Sequence, residues 1–367
     1  MISVLQVIPA FNTGGVEQTT LHVANALAAN KGNSCIASAG GGLVNELHAR
    51  GQHFTLPTLN SKNPIEIFLN AQRLAEIIKK HAIQIVHARS RACGWSAYLA
   101  AKKTNTRFIT TYHGAYGQNC LKWYYNRVMA YGNPVVVASQ YMHQHVKNFY
   151  HFAETFEIPS AIDTNYFCKN SEVLTQASSL KASLNIANDQ KIILLLGRFT
   201  TIKGHLELLR AVNASSVLTH NTHVVFVGNS GNPALVSELK KYALANNIRL
   251  SVFFDQKDLR PFFELANIVV VPTTKPEAFG RVTVEAMSME KCVIVNDLGA
   301  SGEILGDQRW VYESSDSINK LSEKLLQACT LSNLELATIG KKNRVRALAM
   351  YDLEVMLSKH FELYERP

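Results

Sequence analysis

Two carboxylates carry the clearest chemistry in this sequence. Glu277 lies shortly after the strand-like run 267–272, and Glu285 lies in the helical pattern that follows Gly280. A helix that begins after a buried strand presents free N–H groups, which favour phosphate and other anions. Carboxylates beside it accept hydrogen bonds from several hydroxyl groups. The combination predicts a site for a sugar carried on a phosphate; the alternative is a solvated loop with a glutamate near a helix N-terminus.

A second candidate site consists of two cations in a glycine-bounded turn. Arg198 and Lys203 follow the apolar run 191–197. Arginine offers a fork of donors and lysine a movable point charge, so together they suit a pyrophosphate. Such cations stabilise the negative charge of a departing nucleoside diphosphate without a metal. We therefore predict no essential divalent ion; two solvated cations on an ordinary loop are the alternative.

Two further strand ends in the first half carry polar or glycine residues. Gly14, Gly15 and Glu17 follow the first strand-like run, and paired glycines permit a phosphate to approach the backbone closely. This turn lacks the G-x-G-x-x-G spacing of dinucleotide sites, which disfavours a nicotinamide enzyme. His113, with Gly114 beside it, ends another strand and is either functional or an ordinary polar residue.

The elements that must position these residues alternate between strands and helices, which indicates a parallel α/β architecture. Helices are expected over 17–29 and 65–80, and the density of the pattern falls over 157–190, which indicates a linker. Each half is expected to form a Rossmann-like unit with ligands at the carboxyl ends of its strands. The strand-like runs are 4–8, 34–38, 84–87, 107–111, 134–138, 191–197, 222–228, 249–254, 267–271 and 292–295.

Composition limits the classes of protein. The 367 residues favour two domains, and 47% hydrophobic with 18% charged residues describe a well-packed globular chain. The net charge of +9 suits a phosphorylated substrate or an anionic membrane, whereas nucleic acid is disfavoured because no binding motif accompanies the charge. No run is long and apolar enough to span a membrane, and no signal peptide is evident. Scattered cysteines without metal spacing indicate reduced thiols in the cytoplasm.

Three of these motifs together resemble the family 4 retaining glycosyltransferases with the GT-B fold. Glu277 and Glu285 match the family's Glu–seven residues–Glu signature, in the context Pro276-Glu277-Ala278-Phe279-Gly280 and Glu285-Ala286. Gly197-Arg198 and Lys203-Gly204 match its Gly-Arg…Lys-Gly element, and Gly14-Gly15-Val16-Glu17 its Gly-Gly-x-Glu turn.

The resemblance implies a role for each residue. It places Glu285 at the donor ribose. It implies four catalytic residues, with Glu277 and His113 beside the donor sugar and Arg198 and Lys203 at the diphosphate. The remaining donor-binding residues that it implies are Gly14, Gly15, Phe279, Gly280 and Arg281. The segment 86–92 is similar to a bacterial lipopolysaccharide-type branch, in which Arg89 and Arg91, with Glu17, would bind an acceptor that is phosphorylated or acidic. Salt-bridge partners on helices are the alternative for the two arginines.

The resemblance also implies the architecture: two Rossmann-like domains facing across a cleft. The acceptor domain would cover 1–165, the nucleotide-sugar donor domain 170–349, and a C-terminal helix of about 350–367 would pack back on the first. The expected activity is retaining transfer from a UDP- or GDP-linked sugar to a glycan or glycolipid hydroxyl, with no cofactor. Such an acceptor suggests peripheral association with the inner face of the cytoplasmic membrane. A GT-B sugar-nucleotide epimerase and an inactive GT-B binding protein remain alternatives.

Two departures from the family pattern affect the backbone. Ala161 replaces a glycine at the interdomain crossing, so the hinge geometry is expected to differ. Glu290 replaces a glycine after the helix of Glu285, which costs about 1 kcal/mol if its φ is positive. Neither change removes a catalytic group.

Overall fold

The computed structural model describes residues 2–116, 120–187, 189–229 and 231–366, with the backbone alone for Cys120. Contacts divide the chain into two compact units. The N-terminal unit comprises Met1–Ser160 and Glu354–Pro367, and the C-terminal unit comprises Ala161–Leu353. The expected α/β class, with one parallel sheet in each half, is confirmed.

The N-terminal unit is built on a seven-stranded parallel sheet with the order β3-β2-β1-β4-β5-β6-β7. Its strands are β1 (Ser3–Val7), β2 (Asn33–Ser38), β3 (Gln52–Thr55), β4 (Ile85–Ala88), β5 (Arg107–Tyr112), β6 (Val135–Val137) and β7 (Thr155–Glu157). Its helices are α1 (Gly15–Ala29), α2 (Pro64–Lys80), α3 (Arg91–Thr104), α4 (Cys120–Asn126), α5 (Gln140–Phe149) and the last helix of the chain, α15 (Leu353–Glu365). Short 3₁₀ helices cover Gly42–Glu46 and Arg127–Tyr131.

The C-terminal unit is built on a six-stranded parallel sheet with the order β10-β9-β8-β11-β12-β13. Its strands are β8 (Lys191–Leu196), β9 (Thr222–Gly228), β10 (Arg249–Phe254), β11 (Ile268–Val271), β12 (Cys292–Asn296) and β13 (Val311–Tyr312). Its helices are α6 (Ser171–Ser183), α7 (His205–Asn213), α8 (Ser216–Asn221), α9 (Pro233–Ala245), α10 (Arg260–Leu265), α11 (Arg281–Ser288), α12 (Ser301–Leu305), α13 (Ser317–Cys329) and α14 (Asn333–Tyr351). Short 3₁₀ helices cover Thr201–Lys203 and Gln308–Trp310.

Both sheets owe their stability to burial on both faces. The central strands β1, β4, β8 and β11 consist of buried residues apart from the first residue of β8, and such continuous apolar runs are typical of parallel sheets covered by helices. In each unit the strand order reverses beside the first strand, between β1 and β4 or between β8 and β11. The carboxyl ends of the strands at such a reversal form a crevice that suits a ligand.

The structure corrects several expectations about elements. The expected linker 157–190 contains α6, which begins after Asn170 because the Asn170 side chain accepts a hydrogen bond from the Val173 N–H at 2.9 Å. The expected C-terminal helix breaks at Asp352, which has the extended φ of −71° and ψ of 151°. Pro367, the last residue of that expected helix, lies outside the described residues.

The edge strands β3, β7 and β13, which have two to four residues each, were not predicted from the sequence. At the two positions where the family usually has glycine, the backbone differs. Glu290 has a φ of 56°, so the predicted cost of a side chain in the left-handed region applies to it. Ala161 is not among the residues with positive φ. Within the described ranges, no helix combines the length and hydrophobicity needed to cross a lipid bilayer.

Candidate functional site

The loop of Lys203 is fixed against the end of β11 by a glycine. Gly204 has a φ of 74°, and a Cβ at this position would lie 1.9 Å from the carbonyl oxygen of Pro272. The Thr274 N–H donates to the Ile202 carbonyl at 2.9 Å, which joins the same two loops. A residue with a side chain could not adopt this close, left-handed packing without strain. The glycine therefore brings the cation of one strand end beside the loop of the next.

Glu277 is positioned by a third loop, which the sequence analysis did not identify. The Ala300 N–H donates to the Glu277 carbonyl at 2.9 Å, and Glu277 pairs with Gly299 as an isolated bridge. A Cβ on Gly299, whose φ is 71°, would lie 2.3 Å from that carbonyl oxygen. With its backbone held, the half-buried Glu277 carboxylate forms an ion pair with the half-buried Lys203 ammonium group. The structure thus joins two residues that the sequence predicted separately.

Glu285 lies on α11, with its side chain 8% exposed. Its Oε1 accepts a hydrogen bond from Arg281 Nε at 3.1 Å, one helical turn earlier. Burial raises the pKa of the Glu285 carboxyl, and the neighbouring Arg281 guanidinium opposes that rise. Gly280 precedes the helix, whose first N–H groups lack partners within the helix. The ring of Phe279 meets that of Tyr351 at a centroid distance of 5.7 Å, which holds the preceding loop.

Arg198 lies in the exposed loop after β8, between the buried Leu196 and Phe199. Among the described residues its guanidinium has no hydrogen-bond or ion-pair partner, in contrast to Lys203 and Arg281. Its charge is therefore available to an anion at the carboxyl end of β8.

The paired glycines of the N-terminal unit lie at the start of α1. Gly14 precedes the helix in an extended conformation, and a Cβ there would lie 2.3 Å from Glu17 Oε2. The Glu17 side chain thus folds back over Gly14 at the N-terminus of α1. The glycine run 40–42, which was not predicted to be part of a site, packs beside this loop. The Phe11 N–H donates to the Gly40 carbonyl at 2.8 Å, and a Cβ on Gly41 would lie 2.3 Å from the Phe11 carbonyl oxygen. The three consecutive glycines at 40–42 were the feature of the sequence that could have indicated this close packing.

His113 follows β5, and its Nε2 is enclosed without a hydrogen-bond partner among the described residues. Burial, followed by the nearby Arg89 charge, lowers the pKa of His113 to about 3. The imidazole is therefore neutral at pH 7, and it can exchange a hydrogen bond with a ligand but does not supply a positive charge.

Arg89 requires a correction, because it is an interior residue with 1% exposure. Its Nε donates to Gln6 Oε1 at 2.9 Å, and its Nη1 lies 3.2 Å from His360 Nε2 on α15. Tyr364 of the same helix bonds to His87 Nδ1 at 2.7 Å. A guanidinium so enclosed does not reach an acceptor, so the predicted acceptor role of Arg89 is wrong. It holds the carboxyl end of β4 to α15 instead.

Arg91, two residues later, has a different environment. It is the first residue of α3, it is half-buried, and its Nη1 donates to Asn126 Oδ1 at 3.2 Å. Its guanidinium also lies over the ring of Tyr116 at 4.3 Å. Arg91 therefore stays available to a ligand while Arg89 does not.

These arrangements suit a ligand with phosphate oxygens and hydroxyl groups. The C-terminal unit offers the cations Arg198 and Lys203 and the carboxylates Glu277 and Glu285 at the carboxyl ends of β8 and β11 and on α11. Within the part of the chain that the structure describes, no group of three or more His, Cys, Asp or Glu residues has a metal-binding arrangement.

Comparison with known proteins identifies the family. Residues 177–345 match the family model described as "Glycosyl transferases group 1", and residues 13–166 match "Glycosyltransferase Family 4". A lipopolysaccharide 1,2-N-acetylglucosaminetransferase of Salmonella typhimurium is 30% identical over 200 residues, which are 50% of each chain. The chain spans about half or less of the length of the first curated relatives it matches.

Solved structures extend the likeness to the whole chain. A glycosyltransferase from Rickettsia africae has a TM-score of 0.87 and 32% identity, with 99% of this chain and 98% of that chain covered. Anabaena HepE in complex with UDP has a TM-score of 0.79 at 18% identity and shares 99% of each chain, which shows a common fold. From these matches and the two parallel sheets, the chain belongs to the family 4 glycosyltransferases with the GT-B fold.

Proposed function

We propose that this glycosyltransferase moves a sugar from a nucleoside diphosphate sugar to a hydroxyl of a glycan or glycolipid, with retention at the anomeric carbon. The observation that carries the proposal is the Lys203–Glu277 ion pair, which two glycine-dependent loop contacts hold at the carboxyl ends of β8 and β11. A cation suits the donor phosphates and a carboxylate suits the sugar hydroxyls.

The remaining donor roles follow from chemistry and position. Arg198, which lacks a partner among the described residues, would bind the diphosphate with Lys203. Glu285 would accept hydrogen bonds from the ribose hydroxyls, and Phe279, Gly280 and Arg281 would meet the sugar through backbone N–H groups at the start of α11. In the N-terminal unit we assign the paired glycines Gly14 and Gly15 and the neutral His113 to the donor. We assign Glu17 and Arg91 to the acceptor.

The reaction would need no protein nucleophile. The bond between the anomeric carbon and the phosphate oxygen breaks, and a bond to the acceptor oxygen forms on the same face. The acceptor proton passes to the departing phosphate oxygen. Arg198 and Lys203 would stabilise the negative charge that develops on the diphosphate, so we propose that no divalent ion is required.

The relatives suggest which substrates to test first. UDP is the nucleotide in the HepE complex, so UDP-linked sugars come before GDP-linked ones. The matched Salmonella enzyme acts on lipopolysaccharide, and we propose an acceptor in lipopolysaccharide or another cell-envelope glycan.

We also propose peripheral association with an anionic membrane, through the outer face of α2, α3 and α4. These helices expose Phe68 of α2 and Leu121 of α4 by 58% and 85%. The helices are contiguous, because Ser96 Oγ donates to the Ile67 carbonyl and Trp95 stacks on Tyr124. The N-terminal unit has 16 Lys and Arg against 9 Asp and Glu, which is +7 of the chain's +9. Apolar side chains beside cations suit an anionic lipid surface.

The first experiment is a melting series with UDP, GDP, ADP and NAD, each with magnesium and with a chelator. A ligand that binds the folded state raises the melting temperature by mass action. We expect a metal-independent rise with UDP or GDP alone, followed by acceptor-dependent transfer whose product keeps the anomeric configuration in NMR spectra. Turnover of the nucleotide sugar without an acceptor would indicate an epimerase, and no shift with any nucleotide would indicate an inactive binding protein.

A further inference from the structure

Arg91 is held in place by neutral groups. Its guanidinium stacks on the Tyr116 ring at 4.3 Å and donates to the Asn126 side-chain oxygen at 3.2 Å. Some other arginines are paired with carboxylates instead, as Arg260 is with Asp258 and Arg281 with Glu285. A carboxylate neutralises the cation that it positions, whereas a ring and an amide leave the charge intact. Arg91 is thus oriented without being neutralised.

The sequence on both sides of Arg91 contains few negative charges. Between residues 47 and 153 the chain has two acidic residues, Glu66 and Glu76, and both lie on α2. Neither forms an ion pair with Arg91 among the described residues. Arg91 is also the first residue of α3, a 14-residue helix whose N-cap Ser90 accepts a hydrogen bond from the Ala92 N–H. The positive end of this helix adds to the Arg91 charge.

Two buried donors beside Arg91 have no partner among the described residues. Asn126 is fully buried; its oxygen accepts from Arg91, but its Nδ2 has no hydrogen bond among the described residues. The adjacent Tyr125 has an enclosed hydroxyl that likewise lacks a partner there. Its backbone is held because Trp95 Nε1 donates to the Tyr125 carbonyl at 3.0 Å. Buried donors without partners are unusual in folded proteins, so an acceptor atom outside the described residues, such as one on a ligand, is expected beside them.

We infer that Arg91, Tyr125 and Asn126 form a binding site for an anionic group, a carboxylate or a phosphate, on the saccharide acceptor. The guanidinium supplies the charge, and the hydroxyl and amide donate to the oxygens of the anion. This inference rests on the proposed transferase function and narrows its acceptor to acidic or phosphorylated saccharides. It excludes Arg89, whose donors are used inside the unit.

The test measures binding of glucuronate, glucose 6-phosphate and neutral glucose to the full chain and to its Arg91→Gln variant. Titration in melting assays and saturation-transfer NMR provide the readouts. We expect the wild type to bind one or both anionic sugars more tightly than glucose, and Arg91→Gln to lose about tenfold or more of that affinity. Preference for glucuronate identifies a carboxylate site, and preference for glucose 6-phosphate a phosphate site.

Controls separate this site from the proposed donor site. Arg198→Gln removes a cation of the C-terminal unit. This variant should bind anionic sugars like the wild type but should bind UDP or GDP more weakly. Arg73→Gln, on the exposed side of α2, removes an equal charge and should change neither. If Arg91→Gln binds the anionic sugars like the wild type, or if glucose binds equally well, the inference is wrong. A chain that binds anionic sugars but no nucleotide would contradict the donor proposal alone.

Discussion

At the scale of single residues, Glu285 is a buried carboxylate beside a positively charged side chain. It is almost fully buried, and burial raises its pKa, yet Arg281 supplies an opposing charge from one turn away. A carboxylate in this state offers strong hydrogen-bond acceptors at little cost in desolvation on binding, because most of its water has already been removed. Two ribose hydroxyls are suitable donors.

We predict that Glu285→Gln lowers UDP or GDP affinity by about 10- to 100-fold, since hydrogen bonds to charged groups contribute about 1.5–3 kcal/mol. The fold should persist, because the amide fills the same volume without a buried charge. Calorimetric titration measures the affinity and thermal melting checks the fold. Glu323→Gln, an exposed glutamate on α13, is the matched control. Equal nucleotide affinity in Glu285→Gln and wild type would show that Glu285 does not contact the ribose.

At the scale of elements, glycines decide how neighbouring loops meet. Gly204 and Gly299 both have positive φ and both press against a carbonyl oxygen of the strand-end loop that contains Pro272 and Glu277. Each contact removes the space that a Cβ would need, so the loops lie closer than side chains allow. The ion pair between Lys203 and Glu277 is a consequence of this close packing.

The prediction at the scale of elements concerns membrane binding by the outer face of α2, α3 and α4. We expect the double variant Phe68→Ser and Leu121→Ser to bind anionic vesicles about tenfold or more weakly, because a fully buried large apolar side chain contributes about 1.5–3 kcal/mol. Co-sedimentation with vesicles rich in phosphatidylglycerol, compared with purely zwitterionic vesicles, measures the effect.

Leu244→Ser provides the control for the vesicle experiment, because Leu244 of α9 is 82% exposed in the C-terminal unit. The Leu244→Ser variant should bind anionic vesicles as tightly as the wild type does. Salt should weaken binding of all forms, since the cations act through screened electrostatics. Vesicle binding that is unchanged in the double variant would remove this face from the proposal.

At the scale of the whole molecule, stability depends on histidines that are kept neutral. His87, His113 and His360 lie around Arg89 in the N-terminal unit. Burial is the main cause that lowers the pKa of each, to about 3 for His113 and His360. In the unfolded chain the same groups titrate near pH 6.5. Between about pH 3 and 6.5 the unfolded chain therefore binds more protons than the folded one, and acid favours unfolding.

We predict that the free energy of unfolding decreases below pH 6.5 by about 1.4 kcal/mol per pH unit for each of these histidines. Urea unfolding at a series of pH values measures the slope. Tryptophan fluorescence can follow the unfolding of both units, because Trp95 and Trp123 lie in the N-terminal unit and Trp310 lies in the C-terminal unit. His360→Gln removes one titrating group and should reduce the slope by about 1.4 kcal/mol per pH unit. An unchanged slope in this variant would refute the explanation.

Much of the fold and part of the site were readable from the sequence because they depend on local patterns. Buried parallel strands are continuous apolar runs, so β9 and β10 were predicted with their observed bounds. The helical contact between Arg281 and Glu285 depends only on neighbouring residues of α11, whereas the position of Glu277 also depends on the distant loop of Gly299 and Ala300. By contrast, β3, β7 and β13 are short strands in their sheets, and four residues or fewer carry too little periodicity to detect.

The sequence by itself determined the α/β class, the order of most strands and which residue types stand at their carboxyl ends. Only the tertiary structure decided which of those side chains a ligand can reach. Arg89 and Arg91 look equivalent in sequence, yet one is covered by α15 through His360, 271 residues away, and the other is held half-exposed by Tyr116 and Asn126. A side chain is buried by segments that are distant in the sequence but pack against it in the fold. The local sequence pattern does not show which distant segment will cover a given residue.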